Sequence, residues 1–211
     1  MLVDEFLSVY DVSDTIATIV DADAATTWQA LMEVDLIEVG RRRPLVAALG
    51  ALRILPDIVT RLLHGEAPPR APRHLRLRDA PTLASDRGGW ILLAERDRDE
   101  IALGLVGKFW LPVIEYAKVS PREFDSFNKP GYAKTIYSLS VQPRGERRTL
   151  LSAVMRTATT DDHARRWFRR YWTFGVGSGA QVLVNGLLDV TREMAEGRQR
   201  RALQDTEASC P

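Results

Sequence analysis

Seven polar side chains stand among apolar neighbours in ways that could carry chemistry: Glu95, Lys108, Glu115, Tyr116, Arg156, Ser178 and Asn185. Arg156 is the most informative, because it interrupts the small and apolar run 149–159, where a buried guanidinium would need a carboxylate partner or a polar ligand group. Turned the other way, it would simply face outwards. Arg156, Tyr137 and Glu115 are the candidates for catalysis, but no motif assigns them a reaction. Other schemes find little support. His64, His74 and His163 lack metal-ligand spacing, so no metal site is expected. The run GVGSG at 175–179 follows a helical pattern rather than a strand and lacks the Lys-Ser/Thr of a phosphate loop. There is no nucleophile elbow, and the single cysteine, Cys210, sits in a polar tail. No cofactor is expected.

A second signal concerns space rather than reactivity. Over residues 160–196, Trp167, Phe168, Tyr171, Gly175, Gly179, Val182, Gly186 and Val190 recur at steps of three or four, placing aromatic bulk and bare backbone on one helical face. A single straight helix of that length would reach about 55 Å at ~1.5 Å per residue, longer than a domain of this size is wide. A bend near 175–179 is therefore expected. Each interior glycine costs roughly 1 kcal/mol relative to alanine, so Gly175, Gly177, Gly179 and Gly186 need an offsetting role. They either let the helix follow a curved sheet or leave room for a cavity floor. Trp28, Trp90, Phe109, Trp110, Tyr137, Trp167, Phe168, Tyr171 and Trp172 are each ordinary core material, and as a group they suit a lined pocket.

The elements that would position these residues follow from periodicity. Residues 10–20 alternate as a strand, with Val12, Ile16 and Val20 on one face. Asp21 and Asp23 then start a helix carrying Ala24, Trp28, Leu31 and Met32. Pro44 opens a second helix with Leu45, Val46, Leu49, Leu52, Leu55, Val59, Leu62 and Leu63, which Pro56 should bend or split. After a proline loop at 66–73 come a short strand at 75–78, a hairpin of 89–95 with 100–110, and another of 132–141 with 149–159. By alternation Leu103, Leu105 and Phe109 share one face, as do Tyr137 and Leu139, and both faces are assigned inward. Periodicity does not choose a face for 149–159. The opposite face of the middle strand, Ala102, Gly104 and Val106, is also apolar, so a helix or a sheet-mediated homodimer should cover it.

Composition bounds the function. The chain has 211 residues, 45% apolar and 27% charged, with 29 basic and 28 acidic side chains giving a formal charge of +1. That suits one domain over 1–197 with a polar, disordered tail over 198–211. It provides no global field for nucleic acid, and no apolar run is long enough for a membrane span. With no possible internal disulfide and no secretory leader pattern, the expectation is a cytoplasmic protein.

Three stretches, VDADAATTW at 20–28, EIALGLVGKFW at 100–110, and FRRYW at 168–172 followed by GSG at 177–179, resemble the START-like polyketide cyclase (SRPBCC) superfamily, the last of them its terminal helix in some actinobacterial members. The resemblance spans residues 10–196 and includes no catalytic signature. It implies an α+β helix-grip fold, with two short helices after the first strand and a curved antiparallel sheet wrapped around a long C-terminal helix. It also implies a hydrophobic or aromatic small-molecule ligand between sheet and helix. The expected ligand-binding set is Trp28, Leu103, Leu105, Phe109, Tyr137, Leu139, Arg156, Tyr171, Trp172, Gly175, Ser178 and Gly179. A carrier without catalysis is one reading, a cofactor-free cyclase or dehydratase another, and an interaction module whose cavity is filled by its own side chains a third.

Overall fold

The fold is described from a computed structural model, which covers residues 1–65, 67, 72–83 and 88–208. Cys210 and much of the proline loop 66–73 lie outside these residues. The chain runs α1 (Leu2–Phe6), β1 (Val12–Val20), α2 (Ala24–Glu33), α3 (Leu36–Arg42), α4 (Pro44–Leu63), β2 (Ile91–Arg96), β3 (Glu100–Lys108), β4 (Glu115–Tyr116), β5 (Ala133–Pro143), β6 (Thr149–Thr159), α5 (Asp162–Tyr171) and α6 (Gly177–Ala208). The strands form one antiparallel sheet in the order β1-β6-β5-β3-β2, with β4 sharing the outer edge of β3. The long terminal helix packs across it against β1 and α2, which is the helix-grip architecture.

Local chemistry explains the helix starts. The Asp23 carboxylate accepts from the Thr26 N–H at 2.8 Å, Asp35 from Ile37 at 2.9 Å and Asp161 from Ala164 at 2.7 Å, each meeting a donor that the first helical turn cannot bond itself. Three helices, not two short ones, follow β1. The short α3 was not expected, and α4 is an unbroken helix of 20 residues despite Pro56. The Leu52 carbonyl that Pro56 deprives of a donor lies in an exposed turn, where water can satisfy it. No strand forms at 75–78: residues 75–76 are irregular and 77–78 open a 3₁₀ turn over Leu77–Leu83, which contains Pro81.

The terminal helix is interrupted near the expected place. After α5, one wide π-type turn over Trp172–Val176 precedes α6. A Cβ on Gly177 would lie 2.8 Å from Trp172 Cε2, so the glycine lets the indole fold back onto the helix. Past residue 197 the helix runs on to Ala208, and Arg198 reaches Glu33 at 2.6 Å.

The sheet separates two apolar layers. Inside, Ile101, Leu139, Leu151 and Ala153 pack against Trp28 and Leu31 of α2 and Leu188 of α6. Outside, Ala102, Val106, Ile136 and Val154 are covered by Leu2, Val3 and Phe124. The apolar outer face of β3 is thus buried within the chain by α1 and the β4–β5 connection, which removes the reason for a sheet-mediated dimer. Gly104 is needed there, since a Cβ would stand 2.9 Å from both Leu93 and Phe124.

Candidate functional site

Three rungs across the sheet show where the interior stops being filled. Ile101, Leu139 and Ala153 are paired neighbours within the core; Leu103, Tyr137 and Met155 form the next rung; Leu105, Thr135 and Thr157 the third. Beyond the second rung the space between sheet, α4 and the α5–α6 junction opens into a cavity of about 630 Å³. Its sheet side carries Leu105, Thr135, Tyr137, Met155 and Thr157, its far end Phe109, Trp110 and Tyr116, and its helical side Leu49, Arg53, Phe168, Tyr171, Trp172 and Gly179.

The aromatic wall is internally braced. Trp90 meets Tyr137 with ring centroids 5.6 Å apart, and Phe168 stacks on Trp172 at 5.9 Å. Gly179 contributes bare backbone: the nearest atom to a Cβ there would be Leu49 Cδ2 at 3.8 Å. Gly186, by contrast, serves packing, since its Cβ would meet Val46 of α4 at 2.8 Å. The glycines therefore divide: Gly177 and Gly186 permit close packing, which is neither of the expected roles, and Gly179 borders open space.

Polar groups in the wall are few. The Thr135 and Thr157 hydroxyls, 2.9 Å apart, satisfy one another. Tyr137 has no hydrogen-bond partner among the described residues, and burial, followed by the neighbouring Tyr171 and Asp14, pushes its phenol well above the ordinary tyrosine range. Tyr116 and Tyr171 are likewise held up by burial, with the Arg53 cation offsetting part of that effect. Arg53 itself donates from Nη1 to the Pro112 carbonyl at 3.0 Å and from Nη2 to Phe109 and Leu111 at 3.3 and 3.5 Å.

Of the expected ligand-binding residues, Leu105, Phe109, Tyr137, Tyr171, Trp172 and Gly179 meet at the cavity. Trp28, Leu103 and Leu139 belong to the packed core instead. Gly175 falls in the wide turn, and Ser178 faces outwards. Arg156 is on the wrong side of the sheet. Because Met155 and Thr157 point inwards, alternation sends Arg156 out, where Nη1 lies 2.8 Å from Asp4 and 3.2 Å from the Leu7 carbonyl, with the guanidinium over Tyr10. Glu115 is also a surface group: it accepts from Tyr132 at 2.8 Å and pairs with Lys108 at 3.0 Å, and the lysine, then Tyr132, hold its carboxyl below the usual range. Neither can touch a ligand in the cavity. Glu95 and Asn185 are taken up by surface contacts with Arg78 and the Gln181 carbonyl.

Arg53 was missed. Its signal is its place on α4, one turn from Leu49 and beside Leu52 on the face that meets the cavity, a lone cation on an apolar stripe. The helix is otherwise unusual in having no buried residue, and its outward side exposes Ile54, Leu55, Leu62 and Leu63. Among the described residues no helix is long and apolar enough to cross a membrane.

No protein-family model matches the chain, and no curated protein matches it in sequence. Similar solved structures include a hypothetical protein of Helicobacter pylori, 10% identical over 89% of this chain and 93% of that one, with a TM-score of 0.39. Norcoclaurine synthase from Thalictrum flavum, solved in complex with dopamine and hydroxybenzaldehyde, is 12% identical over 86% of this chain and 88% of its own, with a TM-score of 0.35. CalU16 from Micromonospora echinospora is 13% identical over 88% and 84%, with a TM-score of 0.31. Likenesses this remote bear on neither ligand nor reaction.

Proposed function

We propose that the protein is a START-like, SRPBCC-type binding or carrier protein that encloses a hydrophobic or aromatic small molecule. One observation carries this reading: a cavity of about 630 Å³ walled by aromatic and aliphatic side chains with a handful of polar groups, within the range of ~300–1,000 Å³ usual for ligand sites. Affinity would come mainly from apolar burial, at about 25 cal/mol per Å² removed from water. The unpartnered Tyr137 hydroxyl would select for a polar atom at the sheet side. The open space argues against a module whose cavity is filled by its own side chains. A cytoplasmic location belongs to the same proposal, and a homodimer remains compatible with it.

Native mass spectrometry of freshly purified protein tests the proposal. A bound apolar compound at one per chain supports it; apo protein that also fails to take up any apolar probe sinks it.

A second reading, a cofactor-free cyclase or dehydratase, is favoured by the pairing of a protonated buried phenol with a guanidinium in one cavity, a combination able to orient a poly-keto chain and stabilise an enolate. Turnover of a poly-keto substrate that Tyr137→Phe or Arg53→Gln abolishes would favour catalysis. Stoichiometric uptake without turnover would favour carriage.

A further inference from the structure

We infer that the cavity takes an amphipathic molecule with one negative charge of the carboxylate kind, its anion set against Arg53 and its apolar body among the aromatic side chains. This rests on the cavity being a ligand site, as proposed above.

Arg53 is the one charged side chain in the cavity wall among the described residues. No carboxylate there lies within ion-pair distance of it: Asp57, one turn along α4, is engaged by Arg61 at 2.9 Å. Three backbone carbonyls orient the guanidinium, and as dipoles they fix its direction without cancelling its charge. The half-buried guanidinium meets only neutral acceptors here, and an anion delivered by the ligand would gain charge-assisted hydrogen bonds with it. The three carbonyl bonds use Nη1 and Nη2, and the Tyr171 hydroxyl is a further hydrogen-bond partner, so every group that Arg53 meets here is neutral and an anion would be its first charged partner in the cavity.

The surroundings fit the same ligand. Tyr116 and Tyr171 share this end of the cavity and are held protonated by burial, so their hydroxyls can donate to the same group. The formal charge is matched by a monoanion, whereas a phosphate dianion would leave a buried negative charge unbalanced. Among the described residues, no acidic side chain lines the cavity to favour a cationic ligand.

The test compares 2-naphthoate with its uncharged methyl ester at pH 7.5, with Nile red as a neutral reporter of the cavity, in wild type, Arg53→Gln and Arg53→Lys. Wild type should bind the acid at least about tenfold more tightly than the ester and Arg53→Gln should erase that preference, with Nile red titrated into each variant to report whether the cavity persists. Equal binding of acid and ester by wild type, or a preference that survives Arg53→Gln, with Nile red binding intact, overturns the assignment. Failure of Nile red to bind wild type removes the ligand site itself and the inference with it. Should Arg53→Gln also lose Nile red because the 109–112 loop shifts, Arg53→Lys decides: a retained acid preference supports the anion site, and a lost one overturns it.

Discussion

The Arg53 guanidinium donates to the Pro112 carbonyl at 3.0 Å, fastening the helix that covers the cavity to the loop that closes its end. Few other contacts hold α4, which has no buried residue. Hydrogen exchange should therefore be fastest, among the helices α2 and α4–α6, over 44–63, slower when Nile red is bound and faster in Arg53→Gln. Exchange over α4 as slow as over α2, with no change on binding, would contradict this picture of a lightly held cover.

Substitution at two glycines should cost stability without the intervention of any ligand. Gly177→Ala drives a Cβ to 2.8 Å from the Trp172 ring, and Gly186→Ala to 2.8 Å from Val46. Overpacking of this kind costs about 1–3 kcal/mol, offset by about 1 kcal/mol of helix propensity that alanine gains over glycine, so a net loss of up to about 2 kcal/mol, a few degrees in Tm, is expected. Calorimetry showing either variant at the wild-type Tm would mean that the helix and its neighbours accommodate a methyl group freely.

Arg156→Met should separate fold from site. The side chain joins α1 to the outside of the sheet through Asp4 and the Leu7 carbonyl, so its loss should destabilise by about 1–3 kcal/mol. Nile red affinity should be unchanged. A variant of normal stability with impaired probe binding would place Arg156 in the site after all.

Acid should weaken the fold through carboxylates that gain partners on folding. Hydrogen bonding to Arg156 lowers Asp4 below its ordinary 3.8, and the Ala164 N–H, joined by those of Gly131 and His163, lowers Asp161. Their stabilisation is present above about pH 4 and is lost as pH falls through the lowered folded values. Urea midpoints should therefore drop between pH 5 and pH 3, with a shallower drop in Asp161→Asn, whose amide can still accept at the α5 cap. An unchanged pH profile in that variant would remove Asp161 from the account.

Much of this arrangement is legible in the residues, with identifiable blind spots. Strict alternation places Leu105 and Tyr137 on the cavity side, and helical spacing brings Tyr171, Trp172 and Gly179 to it. On β6 both faces are apolar, because α1 buries Val154 while the cavity and core take Ala153 and Met155, so periodicity cannot orient Arg156. The five-residue α1 is too short for a helical period to show. Nor does a two-residue strand such as β4 display alternation. Arg53 is obscured by leucines around nearly the whole circumference of α4, which conceal which side faces the protein.

Titration of Nile red into wild type and Gly179→Leu tests the central claim most directly. The Gly179 position faces open space, so leucine should enter the cavity with Tm little changed. Wild type should show saturable, one-to-one binding with a blue-shifted emission, and Gly179→Leu should weaken it at least about tenfold. Absence of saturable binding to wild type, or equal affinity in a stably folded Gly179→Leu, would contradict a ligand cavity between the sheet and the terminal helix.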